Sequence, residues 1–165
     1  MSKEEDIQLL RQSVTAWNES RRLNSHVLPD LREAELYGVD LTNVNLANAD
    51  LMGAKLHWAN LTGADLHGAN LEGAVLDGAN LTAVNLAGAN LGSAILAEAD
   101  LQRADLRAAN LAHTDLYHAN LSGANIQQAN LMEARLDDAK LDGANLEHAR
   151  IAEGAIDNFM FPPPP

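Results

Sequence analysis

Residues 59–73 read Ala59-Asn60-Leu61-Thr62-Gly63-Ala64-Asp65-Leu66-His67-Gly68-Ala69-Asn70-Leu71-Glu72-Gly73. Every fifth residue is Leu, Ala stands two residues before it, and Asn or Asp lies between. Outward from this stretch the register runs without a break from Leu31 to Ile156, giving 26 repeats. The central position is Leu in 23 of them and Ile in three, Ile126, Ile151 and Ile156. Ala fills the position two before it in 20; the exceptions are Pro29, Val39, Val44, Val84, Thr114 and Gly154. Asn or Asp intervenes in 18 of the 26. A period of five fits neither a helix nor a strand, whose apolar periods are about 3.6 and 2. A helix with Leu at every fifth residue would wind its stripe around the cylinder and bury nothing. Each unit must instead turn the chain through a fixed angle and send two side chains inward, a large Leu and a small Ala. Asn and Asp suit the turning positions, because they tolerate unusual backbone angles and bond their own backbone.

The motif resembles the pentapeptide repeat family, A(D/N)LXX, over residues 29–157. The resemblance implies an all-β fold, a right-handed quadrilateral β-helix (β-solenoid) with four five-residue repeats per coil. Leu and Ala would point inward and the other three positions outward. The sequence adds its own support for four. Eight repeats lack Asn or Asp before the central residue, and six of these positions, Glu35, Lys55, Val75, Ile95, Arg135 and Ala155, are separated by multiples of 20. The other two are Lys140 and Arg150. Four repeats per coil give about 6.5 coils. At a strand spacing of about 4.8 Å the rod is roughly 30 Å long.

A tube of stacked coils exposes two ends that would pair with other chains, so caps are expected. Residues 1–28 read as an N-terminal capping helix and linker, with the helix over residues 2–24. Ser2 and Glu5 form a capping box, and Ile7, Leu10, Val14 and Trp17 share one face. Arg21, Arg22 and Asn24 suit its C-terminal end. Trp17-Asn18 followed by Arg21-Arg22 is similar to a leader that often precedes bacterial pentapeptide repeats. Residues 158–165 read as an apolar cap and Pro-rich tail. There Phe159, Met160 and Phe161 could cover the last coil or meet a second copy as a homodimer contact, and Pro162–Pro165 should be extended.

Composition excludes several classes. The 165 residues carry 23 acidic and 11 basic side chains, for a net charge of −12, with no Cys and six aromatics. There is no disulfide scaffold and no thiolate zinc site. No apolar run is long enough to span a membrane. The acidic start, Met1 to Asp6, has no apolar signal core, so a cytoplasmic location is expected. The acidic balance argues against direct nucleic-acid binding. His26, His57, His67, His113, His118 and His148 scatter over the coils, and neither Ser93 nor Ser122 has a His and an Asp placed to activate it. No catalytic residue, cofactor or metal is expected, and the chain reads as a non-enzyme.

One side differs from the rest. Sides one to four begin at Leu31, Leu36, Leu41 and Leu46. The aromatics of the repeat, Tyr37, Trp58 and Tyr117, all fall on side two, with His57, His118, Val75 and Ile95. Side two has a net charge of −5 and side one −4, whereas sides three and four carry −1 and −2. The column Thr42, Thr62, Thr82 on side three reads as β-formers on a strand surface. Tyr37, His57, Trp58, Val75, Ile95, Tyr117 and His118 therefore form a candidate protein-binding face, unless Val75 and Ile95 only pack as a ladder. The expected function is a non-enzymatic scaffold offering a rigid face to a protein partner. The family supplies an alternative, an acidic DNA mimic that binds a type II topoisomerase such as gyrase. Against it stand the central Leu where those relatives often use Phe, the unbroken register and the lopsided charge.

Overall fold

The computed structural model describes residues 3–153 and 155. The elements are helix α1 (Lys3–Gln12), helix α2 (Val14–Leu23) and strands β1 (Asn130–Leu131) and β2 (Arg150–Ile151). Most of the β-structure is a ladder of single parallel bridges, each joining residues twenty apart, from Asp30↔Asp50 to Asn125↔Asn145. β1 and β2 pair in the same way, Asn130 with Arg150. One circuit is thus four repeats, and the chain is a four-sided parallel β-helix.

The repeat places its five backbone N–H groups as follows. The central residue donates to the next coil (Leu31 N–H to the Asp50 carbonyl, 2.7 Å), and so does the residue two after it (Glu33 to Met52, 2.8 Å). The Asn or Asp position donates back to the preceding coil (Asp50 to Pro29, 2.9 Å). The Ala closes a turn onto the central residue (Ala34 to Leu31, 3.0 Å). The fifth N–H, directly after the central residue, meets the Asn or Asp side chain, as Arg32 meets Asp30 Oδ1 at 3.2 Å. This accounting explains the motif, since a buried or crowded amide left unpaired is costly.

It also moves the expected turning residues. Asn and Asp sit at the bridge, where their side chains bond the backbone two residues on. The turn itself is made by the two variable residues, the second of which has positive φ in every repeat from Glu33 (φ +58°) to His148 (φ +59°). That is a type II turn, which requires a left-handed third residue. On side one the bridge side chains also bond one another, Asn110 Nδ2 donating to Asn90 Oδ1 at 2.8 Å and Asn130 to Asn110 at 3.1 Å.

Leu and Ala fill the interior with essentially no exposure from Leu31 to Leu131. Because Leu and Ala fill nearly every inward position here, the interior of the tube contains no rings, which accounts for the scarcity of aromatics. Thr114, which stands where the repeat has Ala, is fully buried, and its hydroxyl donates to the Leu91 carbonyl at 3.0 Å. Toward the C-terminal end Leu141, Leu146 and Ile151 are only partly buried.

The single expected N-terminal helix is two. The break falls at Ser13, whose backbone is extended and whose hydroxyl accepts the Ala16 N–H at 3.1 Å. A Ser there caps α2, and the bend lets Ile7 and Leu10 of α1 and Trp17 of α2 all bury against the tube. Ser2, Phe159, Met160, Phe161 and residues 162–165 lie outside the described residues, as does Ile156.

A candidate protein-interaction face

Side two departs from the bonding scheme. Its bridge column reads Glu35, Lys55, Val75, Ile95, Asp115, Arg135, each bridged to the next. Asp115, the one Asp or Asn among these six, accepts the following N–H, from Tyr117 at 3.1 Å. No Asn or Asp stands before the amides of Tyr37, His57, Asp77, Ala97 and Asp137. The column pairs by chemistry instead. Lys55 Nζ lies 3.0 Å from Glu35, Val75 stacks on Ile95, and Arg135 lies 3.6 Å from Asp115. Lys55 and the Tyr37 hydroxyl, 3.0 Å from Glu35 Oε2, hold the Glu35 carboxyl below the usual carboxylate range. The ladder expected of Val75 and Ile95 is present, yet Ile95 remains 41% exposed.

The aromatic and histidine residues occupy the corner that follows this column. Tyr37, His57 and Tyr117 take its first position, and Trp58 and His118 its second, left-handed one. The structure brings three of them together. His57 lies between Tyr37 and Trp58, with ring centroids 6.5 and 6.1 Å away. Its Nδ1 is 2.6 Å from Asp77 Oδ1 of the next coil, which fixes the ring. Trp58 is 72% exposed and Tyr37 50%. The pyrrole edge of the indole rests over Gly78, where an added Cβ would come 2.5 Å from Trp58 Cδ1. Gly78 is thus the residue that gives Trp58 its seat.

Tyr117 and His118 form a second cluster about 14 Å along the rod from His57 and Trp58, at three coil spacings. Their rings meet edge to face at 4.1 Å. Here the protein supplies its own cover, because the Arg135 guanidinium lies 4.3 Å above the Tyr117 ring. His118 and His113 each face an acid of the next coil, Asp138 at 3.6 Å and Glu133 at 3.1 Å.

Other contacts carry little or no direct signal in the repeat. Trp17 Nε1 donates to the Asn45 carbonyl at 2.8 Å, and Asn18 Oδ1 accepts the Asn45 N–H at 2.8 Å. Arg21 donates to the Ala47 carbonyl at 2.9 Å, and Arg11 to the Glu35 carbonyl. On side four, Trp17, Asn18 and Arg21 thereby make the three bonds that a preceding coil would make. The leader-like Trp17-Asn18 and Arg21 was the available signal; Arg22 is not part of this set and pairs with Glu19 at 2.7 Å. Beside Arg21, a cavity of about 280 Å³ is lined by Asp6, Trp17, Asn24, Val27 and other residues. Burial raises the Asp6 pKa and lowers that of Arg21. Leu23 and Leu28 in the adjoining segment are exposed, and no periodic pattern marks them.

A four-sided parallel β-helix of five-residue units defines a class of repeat protein, and the sequence identifies which one. Residues 30–68, 59–97, 85–123, 99–138 and 129–153 match the family model for pentapeptide repeats. The chain belongs to the pentapeptide repeat family, whose members form right-handed quadrilateral β-helices. It is similar to HetL, a pentapeptide repeat protein involved in heterocyst differentiation regulation from the cyanobacterium Nostoc sp. strain PCC 7120. The identity is 35% over 75% of this chain and 70% of that one, with a TM-score of 0.52. Rfr23, a pentapeptide repeat protein from the cyanobacterium Cyanothece 51142, is 24% identical over 85% of this chain and 100% of its own, with a TM-score of 0.43. QnrB1, a plasmid-mediated fluoroquinolone resistance protein, is 13% identical over 79% of this chain and 89% of its own, with a TM-score of 0.33. Neither of these last two bears on function. No curated protein matches the sequence. No described helix is long and apolar enough to cross a membrane.

Proposed function

We propose that the protein is a non-enzymatic scaffold whose second side binds a protein partner. The observation that carries this reading is the exposed cluster Tyr37–His57–Trp58, continued along the rod by Val75 and Ile95. Exposed aromatics are the residues from which interface hot spots are built. Four corner amides in this column, those of His57, Asp77, Ala97 and Asp137, follow Lys55, Val75, Ile95 and Arg135, whose side chains cannot accept, so polar donors are also on offer. The acidic balance of sides one and two favours a basic partner and speeds its approach. Tyr117 and the exposed His118 belong to the same column, but Arg135 covers the Tyr117 ring, so they contribute at its margin.

The same reading assigns α1 and α2 to an N-terminal cap on a rod of about 6.5 coils. It assigns Phe159, Met160 and Phe161 to the opposite end, as a cover or as the contact between two copies. Affinity purification from the native host tests the face. A variant with Trp58→Ser and Ile95→Asn should lose the partner that the unaltered protein retains, and equal retention would overturn the proposal. In a gyrase supercoiling assay the protein is expected to have no effect; inhibition there would favour the topoisomerase alternative.

A further inference from the structure

Two aromatic corners on side two share a plan but differ in one element. At the first, Tyr117 has a guanidinium over its ring, and the two carboxylates that hold that guanidinium are Asp115 at 3.6 Å and Asp137 at 3.1 Å. At the second, Trp58 is the most exposed large apolar side chain among the described residues. Asp77 adjoins it: its backbone carbonyl accepts the Trp58 backbone N–H at 3.1 Å, and one carboxylate oxygen, Oδ1, is held by His57 Nδ1 at 2.6 Å, which leaves Oδ2 for a further partner. Gly78 directly above has no side chain to cover the ring. Glu98 follows in the same column, two coil spacings or about 10 Å from Trp58, and is exposed without an ion-pair partner among the described residues. No cation of the described residues lies over the indole.

We infer that Trp58, with Asp77 and Glu98, receives an arginine or lysine side chain from a basic segment of the protein partner. The inference rests on the proposed role of side two and names the chemistry of its occupant. Trp is the strongest of the aromatic rings in attracting a cation. The indole is already held in place by His57 and by its seat over Gly78, so little ordering remains to be done on binding. Arg135 on Tyr117 shows the same recognition made within the chain. Among the described residues this side carries six acids against two bases, Lys55 and Arg135, which draws a basic segment and repels an acidic one.

The test is fluorescence anisotropy with a labelled seven-residue peptide of alternating glycine and arginine, titrated with the full chain in low salt. Trp58→Leu should weaken binding about fivefold, the range of an exposed cation–π contact. Glu98→Gln should weaken it to a smaller extent, while Asp142→Asn on side three, an equal change of charge, should leave it unaltered. Unchanged affinity in Trp58→Leu, or an equal loss in Asp142→Asn and Glu98→Gln, would overturn the inference. Because the peptide is read apart from the native partner, the two proposals fail separately. A partner lost on side-two substitution with no peptide effect sinks only the cationic seat, whereas a Trp58-dependent peptide with an unaffected partner sinks only the scaffold reading.

Discussion

The five positions of one repeat have separate physical tasks, and they were unequally legible. Leu and Ala could be assigned inward from the period alone, because no other pattern lets every fifth residue bury. The left-handed corner was not legible, since Gly fills only nine of its 24 described occurrences and residues as large as Trp58 fill others. Asn and Asp were correctly linked to their own backbone but placed in the wrong part of the turn. Two predictions belong here. Leu86→Ala, in the fully buried middle of the tube, should cost about 3 kcal/mol in urea unfolding. Leu146→Ala, at the partly buried end, should cost clearly less; equal losses would contradict the gradient in packing. Gly78→Ala meets a positive φ and the Trp58 indole together. It should cost about 1–2 kcal/mol and change the emission of Trp58 but not of the buried Trp17.

At the scale of the element, α2 gives side four the three bonds that a preceding coil would make. The sequence showed an amphipathic face but not the break at Ser13, because helical spacing continues across it and only the Ser hydroxyl marks the new start. Nor could spacing reveal that Trp17 acts through its N–H as well as its ring. Trp17→Phe keeps most of the buried area and removes the donor to the Asn45 carbonyl. It should destabilise the protein by about 1–3 kcal/mol, the cost of leaving a buried acceptor unpaired. A loss within error would mean that packing alone holds α2. The same measurement on Trp58→Phe should show almost no change, since that ring is in solvent.

Across the whole molecule the charge has two consequences. The first is stability against acid. Arg32 holds Asp30 well below the usual carboxylate range, Lys55 does so for Glu35, the Thr42 hydroxyl for Asp40 and Arg107 for Asp105. A carboxylate with a lowered folded pKa stabilises the fold above its unfolded value and loses that contribution as pH falls through the folded one. Asp6, raised by burial, has the opposite sign, but it is one group against five, since Arg22 likewise lowers Glu19. The melting temperature should therefore fall as the pH drops from about 5 to 3, and Arg32→Gln should blunt that fall by freeing Asp30. The second consequence is recognition. That the negative charge crowds onto two sides was plain in the sequence. That Arg135 covers Tyr117 while nothing in the described chain covers Trp58 was not, because the pairing needs the twenty-residue coil and the side-chain directions together. The most direct test of side two as the binding face compares two variants for retention of the native partner. Tyr37→Ser with Trp58→Ser on side two should abolish retention, and Thr62→Asn with Thr82→Asn on side three should preserve it. Retention by the side-two variant, or loss in the side-three variant alone, would contradict the account.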